Sequence, residues 1–550
     1  MTTQAPVRSS TSRRTLLEQE AYPELRPEVV EQLREAGESR RVARGDVLFD
    51  VGQDGYDFFH ILSGAVAIVD RSNGRAVVRI EAGNFLGEIG MLMDQRTFLA
   101  GVMDEDGEVI VIPQARIKEL VATNPEIGEV VVGAYAARRR LLTEWGEGGL
   151  VIIGEADDRE TLRLRAFASR SRIPHRWIDR ADAEAVAEIA RSCDLPPEGA
   201  AVVTGHAQVL ARPTPAELAA AIGLDLVAAT DQVFDVAIIG AGPAGLAAAV
   251  YAASEGLCVL VVEDTAIGGQ AGTSSRIENY LGFPKGISGA DLAYLGEVQA
   301  VKFGARVASP RRARTLTKCD DGFEITLDDD RAIRCRSVIL ANGVQYRRLP
   351  LDRLEEFEGR GVYYAATELE AKFCKGTEVV IIGGGNSAGQ AAMYLSRHAE
   401  CAHVAVRGTG LAATMSSYLT NRVLNDARIK LWTRTEVVAL HGTDRLERLT
   451  LRNKDSGEEV EIPCRALFIM VGAAPNTGWL DGQVALDDKG FVKTGTTAGV
   501  EASDFATSQP GIFAVGDIRS GSVKRVASAV GEGSVVVSAL HAYLEGVEGN

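Results

Sequence analysis

Two glycine-rich runs carry the plainest chemistry in this chain. The first reads Phe234-Asp-Val-Ala-Ile-Ile-Gly240-Ala-Gly242-Pro243-Ala244-Gly245, the second Glu378-Val-Val-Ile-Ile-Gly383-Gly-Gly385-Asn386-Ser387-Ala388. Each follows an apolar strand and precedes an alanine-rich helix. In such a run the first glycine permits a tight turn, the second lets backbone approach a pyrophosphate, and the third lets helix pack on strand. The helix N-terminus then offers unpaired N–H groups and the positive end of a dipole to the phosphates. Two such loops in one chain imply two dinucleotides and electron transfer between them. After the first loop a strand ends Val259-Leu-Val-Val-Glu263, placing an acid where a ribose hydroxyl would sit. After the second, His403-Val-Ala-Val-Arg407 ends on an arginine, which suits a 2′-phosphate, and Ala388 in the third glycine position is a common variant for NADP sites. The second loop therefore reads as an NADPH site, with NADH the lesser alternative.

The elements that must position these loops occupy only part of a 550-residue chain, long enough for three to five domains. A formal charge of −16 gives a nucleic-acid partner no overall electrostatic support, and Arg138-Arg139-Arg140 reads as a solvated helix end. No apolar run reaches the ~18 residues a membrane span needs. The polar N-terminus, residues 1–19, reads as a disordered leader of a cytoplasmic protein. Seven cysteines lie scattered, with no CxxC, no zinc spacing and no disulfide framework. No metal site is expected.

Residues 20–147 show short alternating apolar stretches with glycine turns, which predict a β-roll, followed by helices over 114–143. The turns at Gly52 and Gly64 and the run Phe85-Leu-Gly87-Glu88 resemble the cyclic nucleotide-binding domain and its phosphate cassette. The resemblance implies that Glu88 accepts the ribose 2′-OH and that an arginine pairs with the cyclic phosphate. The family's Pro-Arg pair falls here on Arg96-Thr97, so Arg96 is shifted by one residue, and on extended chain such a shift reverses side-chain direction. Gly87, Glu88, Arg96 and Thr97 are the candidate cyclic-nucleotide residues, with a retained fold and no such ligand the competing reading. Residues 148–230 read β-α-β-α-β-β-α, with strands at 150–153, 175–178, 200–204 and 207–210 and helices at 158–171, 182–192 and 214–222. That order resembles a thioredoxin or glutaredoxin fold. Glu155-Ala-Asp-Asp-Arg159 stands where such folds carry CxxC, so the domain would dock or space rather than react.

From residue 233 onward the chain resembles the low-molecular-weight thioredoxin reductases. The residues that carry this are the two fingerprints, Gly268-Gly269-Gln270, Ile277-Glu-Asn279-Tyr-Leu-Gly-Phe-Pro284, Gly511-Ile-Phe-Ala-Val-Gly516-Asp517 and Arg525-Val526-Ala527. The resemblance implies FAD at the first fingerprint, with Asp517 on its ribityl chain, Gln270 and Asn279 near the flavin, and 525–527 over the ring, where Val526 replaces the family's glutamine. It implies a discontinuous FAD domain (233–350 and 478–550) and an inserted NAD(P)H domain (351–477), joined near Leu349-Pro350 and Pro475-Asn476. In the resembled family the inserted domain rotates and the protein is a homodimer. The fold class is thus multidomain α/β plus a β-roll, with two Rossmann-like, three-layer nucleotide domains.

The resembled family places Cys-Ala-Thr-Cys just before the second fingerprint. Here the stretch is Gly361-Val-Tyr-Tyr-Ala365-Ala-Thr-Glu368, so Ala365 and Glu368 replace both redox cysteines, and Cys374 is single. Thiol exchange needs an attacking and a resolving sulfur. The expected function is an FAD- and NADPH-dependent oxidoreductase that does not reduce thioredoxin by an internal dithiol. Quinone, ferredoxin, oxygen or an external disulfide protein remain open as acceptor. Alternatives are a flavin- or nucleotide-binding sensor with little turnover and a ferredoxin–NADP reductase-like enzyme.

Overall fold

The computed structural model describes residues 8–9, 15–53, 55–71, 74–205, 208–224, 232–274, 276–364, 366, 368–412, 415–501 and 503–548. They group into two compact units. One comprises residues 1–239, 247–267 and 294–338, the other 240–246, 268–293 and 339–550.

In the first unit the expected β-roll is built from two sheets. Arg75–Glu81, Ala65–Asp70, Ala100–Met103 and Val47–Phe49 follow one another in one, and Glu38–Val42, Gly107–Ile112 and Phe58–Ser63 in the other. The turn expected at Gly64 separates Phe58–Ser63 from Ala65–Asp70; its φ is +82°, and a Cβ there would sit 2.7 Å from the Asp106 carbonyl oxygen. Part of the segment expected as a disordered leader is ordered. Thr15 and Glu18 form a capping box that starts the helix Leu16–Ala21, and Arg8–Ser9 pairs with Val78 and Arg79.

Helices Gln114–Thr123 and Pro125–Trp145 follow, as the sequence predicts. Asn124 starts the second by accepting from the N–H of Glu126 at 3.1 Å and of Ile127 at 3.3 Å, and Gly146 ends it at φ +65°. Its arginines correct the sequence reading. Arg140 is exposed, but Arg138 and Arg139 are 4% and 2% exposed. Arg138 donates to the carbonyls of Ala21 (2.8 Å) and Gly87 (2.7 Å) and lies over the rings of Phe85 and Tyr22. Arg139 pairs with Glu88. A charge run is buried only when partners on other elements take its donors, and those partners are distant in sequence.

The segment after residue 148 forms a four-stranded sheet in the order Arg176–Asp179, Val151–Gly154, Ala201–Val203, Val209–Ala211. The first pair is parallel and the others antiparallel. Helices Arg159–Arg170, Ala183–Ala190 and Pro215–Ala221 accompany it, capped by Asp158, Asp182 and Thr214. One face of this sheet, through Ile152 and Val202 with Leu164, Phe167 and Leu218, shares a core with the β-roll. The same core takes in Tyr294 and Val298, from the helix Gly289–Lys302. The unit also holds the parallel strands Arg306–Ala308, Val259–Val262 and Val233–Ile239, continued by the strand Ala332–Leu340 and the antiparallel strands Gly322–Leu327 and Ala313–Cys319.

In the second unit, five parallel strands run in the order Val362–Tyr363, Ala466–Ile469, Glu378–Ile382, Cys401–Val406, Ile429–Thr433. Their continuous apolar character is what burial on both faces demands. An antiparallel sheet of Thr435–His441, Arg448–Asn453 and Glu459–Pro463 adjoins in sequence. Near the expected junctions, Val344–Tyr346 pairs antiparallel with Ala473–Pro475, and the Asn342 amide donates to the Asn476 carbonyl at 2.7 Å. Among the described residues no helix is long and apolar enough to cross a membrane.

Burial pushes the Glu297 carboxyl, on the helix Gly289–Lys302, up from 4.5 to about 7 against the pull of the Arg139 charge. A raised folded pKa means that the folded state binds more protons. The effect on stability is therefore absent below the unfolded pKa and grows unfavourable as pH rises to about 7. Glu297→Gln is expected to raise the first calorimetric unfolding transition by a few degrees at about pH 8 and to leave it unchanged near pH 4.5. An equal shift at both pH values would locate the effect elsewhere.

Candidate functional site

The first glycine loop lies in the second unit and meets the steric demands of a dinucleotide turn. Gly240 has φ +107°, and a Cβ there would stand 2.5 Å from the Ala341 carbonyl oxygen. A Cβ on Gly245 would overlap the carbonyl oxygen of Gly240. A Cβ on Gly242 would meet nothing within 4 Å. The first and third glycines therefore close strand on helix, and the second leaves its backbone open, as a pyrophosphate at the start of the helix Pro243–Ser254 requires.

Three other segments converge on this loop. Gly268 donates its N–H to the Ala241 carbonyl at 2.8 Å, and a Cβ on Gly269 would lie 3.2 Å from the Gly242 Cα. The Gln270 amide donates to the Val344 carbonyl. A Cβ on Gly516 would stand 2.9 Å from the Ala244 Cβ, which sets Gly516-Asp517 against the fingerprint. Burial raises the Asp517 carboxyl above its ordinary range; the Lys524 charge lowers it, and Glu532 adds a smaller upward push. Glu532 is a residue that sequence reasoning missed. It accepts the Gly516 N–H at 2.7 Å and an Arg519 nitrogen at 2.7 Å. The available signal was a single acid in the first half of an otherwise apolar helix, Val526–Glu548.

Asn279 is exposed and, with Arg276, Glu278, Lys285, Tyr418 and Arg422, lines a cleft of 390 Å³. Arg422, on the helix Ser417–Asn425, donates to Glu278 at 2.7 Å across that cleft. Arg525 and Ala527 are exposed, and Val526 is the first residue of the final helix. In the first unit Glu263 follows the strand Val259–Val262; its Oε1 accepts from the N–H of Thr265 at 3.1 Å and of Ala266 at 3.3 Å.

The second loop repeats the geometry. Gly383 has φ +141°, and a Cβ there would overlap the Met470 carbonyl oxygen, whereas one on Gly385 would meet nothing within 4 Å. Asn386 begins the helix Asn386–Leu395, and its Oδ1 accepts the Ser416 N–H at 2.8 Å. Ser387 is exposed and Ala388 buried. Arg407, directly after the strand Cys401–Val406, is exposed and bonds to no other described residue.

Of the residues expected at the positions of the resembled family's redox cysteines, Ala365 lies outside the described residues, and Glu368 is described only as the first residue of the helix Glu368–Phe373. The nearest thiol, Cys374, is 0% exposed and donates to the Glu370 carbonyl at 3.1 Å. Burial, with Glu370 nearby, pushes it up to about 12. All seven cysteines are unpaired, and among the described residues no group of three acids, histidines or cysteines could hold a metal.

The cassette residues of the first unit are occupied internally. Gly87 has φ +108° and gives its carbonyl to Arg138. Glu88 Oε2 accepts from Arg139 Nε at 2.7 Å, and Oε1 accepts the Gly90 N–H at 2.9 Å. The Thr97 hydroxyl donates to the Asp50 carbonyl and accepts the Gln53 N–H at 3.1 Å. The Arg96 side chain lies against Gly223, where a Cβ would be 2.5 Å from its Cγ.

Residues 234–533 match the family model described as pyridine nucleotide-disulphide oxidoreductase, and residues 39–124 that of the cyclic nucleotide-binding domain. A thioredoxin reductase of Treponema pallidum is 35% identical over 312 residues, covering 57% of this chain and 97% of that protein. NADPH-dependent thioredoxin reductase 3 of Arabidopsis thaliana is 35% identical over 317 residues, 56% of this chain, and the match spans 58% of that longer protein. The solved thioredoxin reductase of T. acidophilum is 31% identical with a TM-score of 0.53, covering 58% of this chain and 100% of that one.

The two glycines should fail differently. Gly245→Ala is expected to yield little folded protein, because its methyl overlaps a backbone oxygen. Gly242→Ala is expected to fold with an unchanged unfolding transition when stripped of cofactor, yet to purify with much less bound flavin, read from visible absorbance. Full flavin content in Gly242→Ala would contradict the assignment of that open backbone.

Proposed function

The chain belongs to the pyridine nucleotide-disulphide oxidoreductase family, of the thioredoxin reductase-like kind, and from that premise we propose that it passes electrons from NADPH to an acceptor other than a thioredoxin served by an internal dithiol. It is an FAD- and NAD(P)H-dependent oxidoreductase that also carries a cyclic nucleotide-binding-type domain. One observation carries the finer reading. Both dinucleotide cradles keep their open second glycine, while the family's cysteine pair is Ala365 and Glu368 in this chain.

The residues present fit both cofactors. Gly242 and the N-terminus of the helix Pro243–Ser254 would receive the FAD pyrophosphate, and Asp517, next after the Gly516 that meets Ala244, its ribityl hydroxyls. Glu532 fixes the Gly516 N–H, so that turn is set before any ligand arrives. Bound FAD would supply a two-electron acceptor for a nicotinamide hydride. At the second loop Gly385 and the helix Asn386–Leu395 would take the NADPH pyrophosphate, and Arg407, exposed at its strand end, the 2′-phosphate.

The outlet follows from sulfur chemistry. The thiolate is the nucleophile in disulfide exchange, so a buried thiol held near 12 is inert at neutral pH. Cys374 therefore does not stand in for the missing pair. The segment 148–230 supports a thioredoxin-like reading by its strand order and direction, but Glu155-Ala-Asp-Asp-Arg159 carries no sulfur, and Asp158 there caps a helix through the Thr161 N–H at 2.8 Å. That domain would serve docking. Quinone, ferredoxin, oxygen and an external disulfide protein are the acceptor classes this leaves.

Anaerobic stopped-flow mixing should show NADPH bleaching the flavin well within a second, with no reduction of added thioredoxin. Slow bleaching, or rapid NADPH-dependent thioredoxin reduction, would overturn the proposal. Arg407→Ala should raise KM for NADPH about tenfold, one charge-assisted hydrogen bond, and leave that for NADH unchanged.

A further inference from the structure

The 2′-phosphate assigned to Arg407 asks for more positive charge than that residue supplies. A phosphomonoester carries about −1.5 to −2 charges at neutral pH, and one guanidinium offsets only part of that. Residues 408–412, Gly-Thr-Gly-Leu-Ala, bring no second cation from the same loop. Two others come from elsewhere in the second unit.

The strand Ile429–Thr433 runs parallel beside Cys401–Val406, with Thr433 paired to Val406, so both strands end at the same level. The residues that follow them are Arg434 and Arg407. The Arg434 N–H donates to the Gly408 carbonyl at 2.9 Å, which carries the pairing one step beyond the strands. Arg434 in turn gives its carbonyl to the Lys454 N–H at 2.7 Å. Lys454 stands in the turn between Arg448–Asn453 and Glu459–Pro463. Asn453 shapes that turn, its Oδ1 accepting the N–H of Asp455 at 2.9 Å and of Ser456 at 3.1 Å. Two backbone hydrogen bonds thus string Arg407, Arg434 and Lys454 together at the carboxyl ends of the parallel strands. Open α/β sheets hold nucleotides at that edge, and the loop Gly383–Gly385 lies at the carboxyl end of Glu378–Ile382 in the same sheet.

All three cations are exposed. The side chains of Arg407 and Lys454 bond to no other described residue. That of Arg434 pairs with Asp455, and the two side chains are 52% and 56% exposed. An ion pair so open to water is weak and yields readily to a more highly charged anion. One acid against three cations also leaves this cluster positive in a chain whose formal charge is −16. We propose that Arg434 and Lys454 join Arg407 in binding the 2′-phosphate, Arg434 leaving Asp455 to do so, and that this set rather than Arg407 alone selects NADPH over NADH. The proposal rests on the reading of the second loop as a nicotinamide-dinucleotide site with Arg407 at its phosphate.

Titration calorimetry on the full-length flavoprotein, with adenosine 2′,5′-bisphosphate and 5′-AMP as probes, tests it. The unmodified protein should bind the bisphosphate more tightly than 5′-AMP. Arg434 has φ +53°, a conformation that asparagine tolerates, so Arg434→Asn removes the charge without straining the turn. That variant should bind the bisphosphate about tenfold more weakly and 5′-AMP as before. Lys454→Gln should weaken the bisphosphate about threefold, since an ammonium is a compact and more strongly hydrated charge than a guanidinium. Full bisphosphate affinity in either variant, or an equal loss for 5′-AMP, would overturn the proposal while leaving the NADPH reading in place. Equal binding of the two probes by the unmodified protein would instead overturn that reading, and this proposal with it.

Discussion

Backbone-to-backbone approach at Gly240 and Gly383 is the constraint on which the nucleotide chemistry depends. At each turn a buried strand gives way to a helix, and the first glycine adopts a positive φ against a carbonyl of another strand's end, Ala341 in one case and Met470 in the other. Only with that contact closed does the next glycine present an open backbone at a helix start. The loop is then finished from elsewhere in the chain. Gly268 bonds to the Ala241 carbonyl, Gly269 comes up close to Gly242, and Gly516 to Ala244, where a Cβ would stand 2.9 Å from the alanine Cβ. Glu532 completes the last of these approaches by holding the Gly516 N–H.

The first unit solves a different problem, that of burying charge. Arg138 and Arg139 enter the interior on consecutive positions of one helix, and each is matched in a different way. Arg138 uses two carbonyls and aromatic faces, so no second charge is buried with it. Arg139 uses a carboxylate, and its geometry fixes where the cassette lies relative to that helix. Opposite charge in a low-dielectric setting specifies position more strongly than it adds stability.

The sequence made legible whatever is local. Alternation and glycine turns marked the strands of the β-roll, and element order marked the 148–230 segment to within a few residues, because strand period and capping residues such as Asp158 and Thr214 act over three or four positions. The fingerprint glycines were legible because their steric roles are tied to fixed spacing. What stayed hidden was long-range pairing. Glu88 and Arg139 lie 51 residues apart, and Gly516 meets the lone acid in the mostly apolar first half of the final helix. Arg138-Arg139-Arg140 read as solvent-facing since a run of charges carries no mark of which distant groups will neutralise it. The capping box at Thr15 and Glu18 was by contrast a local signal that went unread within a polar leader.

Loss of the cysteine pair bears differently on the two halves of a redox cycle. Accepting a hydride asks the protein for orientation and for electrostatics at phosphates, and those demands fall on the backbone geometry of the two glycine turns. Releasing electrons to a disulfide partner asks for two sulfurs in sequence, one to attack and one to resolve, and for an accessible thiolate. The thiols at 335, 374 and 464 are each buried and pushed up to about 12, which keeps them protonated at neutral pH. The nucleotide cradles and thiol exchange are set by different kinds of constraint, steric in the first and titration in the second.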